Sequence, residues 1–195
     1  EAGEREVAAV TADSRRVGPG SLFFALSGSQ ADGHDYIGQA LGAGAVGVVA
    51  ERTVPVPPET PLVVDPDARR LLGEAAARLH GRPSARLPVV GITGTNGKTT
   101  VAWLVSGLFD DGAVIGTQGW GRPGELAPNG GTTPDAVVLQ KRLAALRADG
   151  VTGVALEVSS HALDQQRLAG TEVAGAVWTN LTPEHLDYHG DLAAY

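Results

Sequence analysis

The residues best suited to chemistry lie in one stretch, Thr93-Gly94-Thr95-Asn96-Gly97-Lys98-Thr99. In such a turn, glycines let the backbone aim its N–H groups at phosphate oxygens, the lysine adds positive charge, and Thr99 can place a hydroxyl on Mg²⁺. The strict form of this phosphate-binding loop has a glycine five places before Gly97, where this chain has Ile92. A plain strand–turn–helix connection with a solvated lysine is the alternative. The pattern favours a variant phosphate-binding loop.

A carboxylate and three histidines are the next candidates. Glu157 ends the apolar stretch Gly153–Glu157, and a carboxylate in that place beside a phosphate loop typically binds Mg²⁺ directly or through water. The alternative is a strand-end residue that only reaches solvent. Of His161, His185 and His189, His185 is the best candidate for a metal ligand or phosphate contact, although each histidine can equally be a surface or capping residue. The histidine spacings match no zinc signature.

The elements that must position these residues alternate strand and helix, which is typical of a mainly parallel sheet. Strands are predicted at Leu87–Thr93, Ala113–Ile115, Gly153–Glu157 and Val173–Thr179. Ligands in open α/β sheets lie at the carboxyl ends of the strands. We therefore expect the loop, Glu157 and the stretch Asn180–His189 to share that edge.

Two helices are predicted in this second part of the chain. Apolar residues at Val101, Leu104, Val105 and Leu108 indicate a helix directly after the loop. The second helix is predicted to begin with Thr133 as its cap and Pro134 at its first position, and to run to Asp149. Its buried face would be Leu139, Leu143 and Leu146, which leaves Lys141 solvated.

The first part of the chain is predicted to be a smaller α/β domain. Strands are expected at Glu6–Thr11, Leu22–Ala25, Val46–Ala50 and Leu62–Val64, and helices at Tyr36–Ala43 and, capped by Asp67, up to His80. The stretch Gly81-Arg82-Pro83-Ser84-Ala85-Arg86 indicates a boundary, with one domain at 1–84 and the next at 85–195.

Composition narrows the function classes. A net charge of −7 argues against a nucleic-acid partner, and no apolar run approaches the roughly 20 residues of a membrane-spanning helix, so no membrane insertion is expected. The absence of cysteine fits a reducing cytoplasm. Because methionine is absent even at position 1, we expect the chain to be a piece of a longer protein.

These motifs together resemble the Mur ligase family. The loop, including its missing first glycine, is similar to that of Mur ligases and folylpolyglutamate synthases. Asp13-Ser14-Arg15, Pro19-Gly20-Ser21-Leu22-Phe23 and Gln30-Ala31-Asp32-Gly33 resemble the uridine-binding domain of the Mur enzymes. Glu157-Val158-Ser159-Ser160-His161 and the stretch from Asn180 to Gly190 are most similar to the MurE branch, the UDP-N-acetylmuramyl-tripeptide synthetases.

The resemblance implies an ATP-dependent amide-bond-forming ligase of peptidoglycan synthesis. It would add a diamino acid, L-lysine or meso-diaminopimelate, to UDP-N-acetylmuramoyl-L-alanyl-D-glutamate through an acyl phosphate, with ATP and Mg²⁺ as cofactors. Lys98 would counter the phosphate charge, Thr99 and Glu157 would hold one metal, and Glu157 with His185 a second.

The resemblance also implies a set of substrate contacts. Ser14 would contact uridine, and Gln30 and Ala31 would approach the diphosphate. The muramoyl–peptide channel would be lined by Thr132, Thr133, Ser159, Gln165 and Arg167. Gly131 stands where some members have asparagine, so no side-chain contact is expected there.

Part of the family's machinery is not in this sequence. Mur ligases hold the second metal with a carbamylated lysine beyond the His-Leu-Asp-Tyr-His-Gly segment, whereas the lysines here are Lys98 and Lys141. The C-terminal amino-acid-binding domain is also expected to lie outside the chain. We therefore expect that these 195 residues cannot catalyse the full reaction alone. A monomer is expected, and the choice of amino acid is left open.

Three other interpretations stay open at this point. A folylpolyglutamate synthase would share the loop but not the Asp-Ser-Arg and Gln-Ala-Asp-Gly segments. A MurF-type ligase would share the domain order but fits the later motifs less well. A nucleotide-binding module without ligase chemistry is the third.

Overall fold

The fold is built from two mainly parallel sheets that follow each other along the chain, as seen in a computed structural model that describes residues 6–28 and 31–195. The strands of the first sheet are β1 Ala9–Thr11, β2 Ser21–Ala25, β3 Ala45–Ala50 and β4 Leu62–Val64, all parallel and in the order β1-β2-β3-β4. The second sheet contains β5 Val89–Thr93, β6 Gly112–Gly116, β7 Gly119–Gly121, β8 Gly153–Glu157 and β9 Gly175–Trp178. The predicted mainly parallel α/β fold is confirmed.

The second sheet has the order β7-β6-β8-β5-β9, and only the β6–β7 pair is antiparallel. This order places β5 and β8, which carry the loop and Glu157 at their ends, side by side. Ile92 lies opposite Glu157 in the β5–β8 register. No sequence pattern predicted β7, a three-residue strand rich in glycine.

The helices are α1 Ile37–Gly42, α2 Ala68–Leu79, α3 Lys98–Ser106, α4 Ala136–Ala148, α5 Ser160–Asp164 and α6 Leu186–His189. Successive side chains of β8 point to opposite faces of the second sheet, and helices cover both faces. Val154 and Leu156 pack with residues of α4 on one face, whereas Ala155 packs with Ala102 of α3 on the other. Within the described residues, no helix is long and apolar enough to cross a membrane.

The two helices predicted in the second part of the chain differ in detail from the sequence pattern. Leu104 and Leu108, two of the apolar residues that indicated the helix after the loop, are 68% and 83% exposed, and the buried residues of α3 are Ala102 and Ser106. For the helix that follows, the predicted cap is wrong. The cap of α4 is Asp135, whose carboxylate accepts a hydrogen bond from the N–H of Val138 at 2.9 Å. The helix therefore starts two residues beyond Pro134.

Thr133 does not cap α4 because its hydroxyl is used elsewhere. The side chain is buried, and Oγ1 donates to the carbonyl oxygen of Glu157 at 2.8 Å while it accepts from the N–H of Ser159 at 3.0 Å. Asp67 stands at the predicted N-terminal position of α2, but its carboxylate pairs with Arg70 rather than with a backbone N–H.

Candidate active site

The phosphate loop connects β5 to α3, as predicted. Gly97 adopts φ 83° immediately before α3, a conformation that glycine reaches without strain. The ammonium of Lys98 folds back over the loop and donates to the carbonyl oxygens of Gly94 and Thr95 at 2.6 and 2.8 Å. Its charge is thus held against the backbone of the loop.

The start of α3 adds backbone donors to this charge. In any α-helix the first N–H groups lack an intrahelical acceptor, and here those groups belong to Lys98, Thr99 and Thr100. The helix dipole places partial positive charge at the same end. The loop therefore offers an anion the combination that binds phosphate in proteins.

The segment after β9 is joined to the phosphate loop by several hydrogen bonds. The N–H of Thr95 donates to the carbonyl oxygen of Asn180 at 3.0 Å, and the N–H of Asn96 donates to Oδ1 of Asn180 at 3.1 Å. The carbonyl oxygen of Thr93 accepts from the N–H of Thr179 at 3.0 Å. A Cβ at Gly94 would lie 2.2 Å from Oγ1 of Thr179, so only glycine allows this approach.

Glu157 lies beside this loop and is only 3% exposed. Its Oε2 accepts hydrogen bonds from the hydroxyls of Thr99 at 3.0 Å and Thr117 at 3.1 Å, and its Oε1 accepts from the N–H of Thr117 at 3.1 Å. The structure thus brings the loop, Glu157 and Asn180 to one edge of the sheet, as expected.

This arrangement fits an Mg²⁺ ion. Thr99 and Glu157 supply a hydroxyl and a carboxylate oxygen next to a phosphate loop, and Mg²⁺ prefers one or two such protein ligands with the rest from phosphates and water. Residues 6–28 and 31–195 contain no group of three or more His, Asp or Glu side chains placed to hold a metal ion by themselves.

His185 takes part in a cluster of rings. Its ring centroid lies 4.7 Å from that of His161, whose ring is also 4.2 Å from Tyr188. Burial, with His185 and His189 nearby, holds the pKa of His161 below its usual value. His189 contacts Oγ of Ser160 at 2.9 Å. No hydrogen bond links His185 to Glu157 in the described part of the chain, so the second-metal role of His185 stays a prediction.

A cavity of about 1080 Å³ lies between the first and second halves of the chain. Four of the predicted substrate residues line it: Ser14, Ala31, Gln165 and Arg167. Ser14 donates to Oε1 of Gln39 at 3.3 Å. Gln165 accepts from Nε and Nη2 of Arg167 at 3.1 and 2.7 Å, which fixes the guanidinium at the cavity wall.

The cavity is cationic although the chain is acidic. Among the residues that the structure describes, its lining includes five lysine or arginine side chains against two aspartates, in a chain of net charge −7. The five are Arg15, Arg16, Arg69, Lys141 and Arg167. Lys141 is exposed, as predicted, but it is exposed into this cavity. Such a lining favours an anionic ligand.

Hydrogen bonds hold the described residues on both sides of positions 29 and 30. Arg69 donates to the carbonyl oxygen of Ser27 at 2.6 Å, and the N–H of Ser27 donates to Glu51 at 2.8 Å. On the other side, Arg52 donates to Asp32 at 2.6 Å, and this bond lowers the pKa of the Asp32 carboxyl well below its usual value. Gln30 lies outside the described residues.

The remaining predicted substrate residues surround Glu157 instead of lining the cavity. Oγ1 of Thr132 lies 3.0 Å from Oγ1 of Thr117, and Ser159 caps α5 by accepting from the N–H of Ala162 at 3.2 Å. Arg167 links the two regions, because its Nη1 donates to the carbonyl oxygen of Thr133 at 2.7 Å. A chain of contacts thus runs from the cavity wall to Glu157.

Sequence reasoning missed Thr117 and Arg69. Thr117 follows the short strand β6, and a threonine after an apolar strand carries no signal of its own. The position after a parallel strand, on the edge where Glu157 was expected, was the only available clue. Arg69 is one of several arginines on α2. The sequence does not show which of them reaches the cavity, because that depends on how α2 packs.

Comparison with known proteins gives two family matches. Residues 92–195 match the family described as Mur ligase middle domain, and residues 6–80 match the one described as Mur ligase family, catalytic domain. A curated relative from Alkalilimnicola ehrlichii, named UDP-N-acetylmuramoyl-L-alanyl-D-glutamate--2,6-diaminopimelate ligase, is 48% identical over 100% of this chain and 42% of its own length.

Two solved structures are also similar to this chain. One of a UDP-N-acetylmuramoyl-L-alanyl-D-glutamate--2,6-diaminopimelate ligase is similar with a TM-score of 0.85 and 37% identity, over 97% of this chain and 39% of that one. MurF from Acinetobacter baumannii, with a TM-score of 0.60 and 22% identity over 95% and 38% of the two chains, shares the fold. The chain thus spans about two fifths of the length of the relatives it matches.

Proposed function

Because this chain belongs to the Mur ligase family, we propose that it forms the nucleotide site and most of the UDP-substrate site of an ATP-dependent ligase. The acceptor would be UDP-N-acetylmuramoyl-L-alanyl-D-glutamate, and the added group a diamino acid. The relatives are named for 2,6-diaminopimelate, so we take that diamino acid in preference to lysine.

One observation carries this proposal. A cation-lined cavity between the halves leads through Arg167 and Thr133 to Glu157, which lies beside the phosphate loop. A UDP-linked dipeptide has a diphosphate and carboxylates, so it needs cations along its length and its terminal carboxylate near the ATP phosphates. The cavity supplies the cations, and the loop beside Glu157 supplies a place where the ATP phosphates would meet the terminal carboxylate.

The reaction begins with the transfer of the γ-phosphoryl group of ATP to the side-chain carboxylate of D-glutamate. Both reactants are anionic, so the transfer needs local positive charge. Lys98 and the first N–H groups of α3 supply such charge at the loop, and Arg167 supplies it on the acceptor side. These groups orient the two anions and offset their repulsion.

The product of this step is an acyl phosphate, in which a carboxylate oxygen has become part of a good leaving group. The amine of the diamino acid then attacks the carbonyl carbon, and the tetrahedral intermediate collapses with loss of inorganic phosphate. Thr99 and Glu157 would hold Mg²⁺, which would neutralise charge on the phosphates. Because Glu157 is shielded from solvent and hydrogen-bonded on both oxygens, its carboxylate is already oriented for that ion.

We further propose a domain boundary between residues 84 and 85, a second metal near His185, a monomeric chain and a cytoplasmic location. The absence of cysteine supports the cytoplasmic location.

Calorimetry with the 195-residue chain tests the proposal. We expect UDP-N-acetylmuramoyl-L-alanyl-D-glutamate to bind, and ATP to bind more tightly with Mg²⁺ than with EDTA. UDP alone is the control for the uridine and diphosphate contribution. Binding of ATP without affinity for the UDP-dipeptide would identify a nucleotide-binding module, and a clear preference for the UDP-tripeptide would identify a MurF-type ligase. Either result contradicts the proposal.

A further inference from the structure

The turn after β6 forms a cradle around the carboxylate of Glu157. Gly116 is the last residue of β6, and a Cβ at this position would lie 2.1 Å from Oε1 of Glu157. No side chain fits between that backbone and the carboxylate. The next residue, Thr117, then donates its N–H to Oε1 and its hydroxyl to Oε2, both at 3.1 Å.

The direction of the hydrogen bonds can be assigned from the chemistry of the hydroxyls. A threonine hydroxyl has one proton to donate and two lone pairs that accept. Because Thr117 gives its proton to Glu157, the 3.0 Å contact between Thr132 and Thr117 must be a bond that Thr132 donates. The chain therefore runs from Thr132 through Thr117 to the Glu157 carboxylate.

Asn129 fixes the geometry of this chain. Its Nδ2 donates to the carbonyl oxygens of Gly116 at 2.8 Å and Thr132 at 3.1 Å. One amide thus holds the turn after β6 against the loop that carries Thr132. The two threonine hydroxyls are brought together by this link.

The cradle leaves the metal-binding function of the site intact. Thr99 also donates to Oε2 of Glu157, and its oxygen keeps lone pairs for a cation. With both carboxylate oxygens oriented by donors, the rotamer of a buried glutamate is set before any ion arrives. Groups that orient a metal ligand in this way typically change metal affinity 10–100-fold when removed.

On these contacts, and resting on the proposed function, we propose that Thr117 is a positioning residue for Mg²⁺. It holds the Glu157 carboxylate in the orientation that an ion on the ATP phosphates requires, and it connects that carboxylate to Thr132 on the substrate side. Thr117 itself is solvent-exposed, so the role rests on its two donors and not on packing.

The test measures ATP binding by the 195-residue chain as a function of Mg²⁺ concentration, with EDTA as the metal-free baseline. Thr117→Val removes the hydroxyl and keeps the shape and the backbone N–H, whereas Thr117→Ser keeps the hydroxyl. We expect Thr117→Val to raise the Mg²⁺ concentration for half-maximal enhancement about tenfold, with ATP affinity in EDTA unchanged. Thr117→Ser should stay within about twofold of the unmodified chain.

The control is Thr53→Val, the same substitution at an exposed threonine in the first half of the chain. It should leave the Mg²⁺ titration unchanged. A Thr117→Val titration that matches the unmodified chain, or an equal loss of ATP affinity with and without Mg²⁺, overturns the positioning role. An unmodified chain whose ATP binding does not respond to Mg²⁺ at all would instead contradict the proposed nucleotide site.

Discussion

The two lysines of this chain lie in different environments, and we therefore propose that they contact different ligands. The ammonium of Lys98 is held by two carbonyl oxygens of the phosphate loop at 2.6 and 2.8 Å. A phosphate entering the loop meets this charge without any rearrangement of the backbone. Lys141 lies on α4 and lines the cavity between the two halves, where it would face the proposed UDP-linked substrate.

Single substitutions should therefore separate the two binding events. Lys98→Ala removes a charged hydrogen bond, worth about 1.5–3 kcal/mol, and should weaken Mg²⁺–ATP binding at least tenfold while UDP-dipeptide affinity stays the same. Lys141→Ala should weaken only the UDP-dipeptide, by a few-fold, since this side chain is exposed and screened. Calorimetry with both ligands measures this. Equal effects of the two variants on both ligands would contradict the assignment.

At the scale of the element, the start of α4 shows how tertiary contacts overrule a local pattern. Thr133-Pro134 fits a cap followed by a first-turn proline, yet the hydroxyl of Thr133 binds the end of β8 and Asp135 takes over the cap. The spacing of its apolar residues was enough to predict that α4 exists. Its first turn depended on a strand 24 residues away in sequence, which no local signal contains.

The cap assignment predicts a stability change. Asp135→Ala should lower the free energy of unfolding by about 1 kcal/mol, because the N–H of Val138 loses its acceptor. Urea denaturation followed by circular dichroism measures this value. Asp110→Ala, at an exposed aspartate outside the helices, should change it by less than about 0.5 kcal/mol. Indistinguishable midpoints for the two variants would show that Asp135 does not cap α4.

At the scale of the whole molecule, α2 joins the two halves. Its residues Leu72 and Ala76 pack on the first sheet, and Gly73 approaches the chain after α5 so closely that a Cβ would lie 2.4 Å from the carbonyl oxygen of Ala169. Val137 of α4 packs against the same cluster. The walls of the cavity are therefore held at a fixed separation by a contact between backbones.

A methyl group at Gly73 should act on both stability and ligand binding. Gly73→Ala should cost about 1–3 kcal/mol through overpacking and should weaken UDP-dipeptide binding, because the cavity walls must move apart. ATP affinity should change little. Gly38→Ala in α1, where a Cβ has nothing within 4 Å, is the matched control and should leave both affinities unchanged. Thermal unfolding and calorimetry check the pair, and a Gly73→Ala chain with normal stability would refute the close contact.

The sequence alone was enough to predict the phosphate loop, the alternation of strands and helices, and the sheet edge at which the candidate site residues meet. These features follow from short-range patterns: the spacing of glycines, the position of a carboxylate after an apolar strand, and the order of parallel strands. It also identified four of the residues that line the cavity, through resemblance to a family.

What surrounds those residues follows only from the tertiary structure. Thr117 reaches Glu157 across 40 positions, and the cationic lining comes from several elements of both halves. The apolar pattern that includes Leu104 and Leu108 indicated a helix, but it did not show that both side chains are exposed. Hydrogen bonds and packing between distant segments depend on how the elements are placed in space. A local sequence pattern predicts an element but not the elements that pack against it.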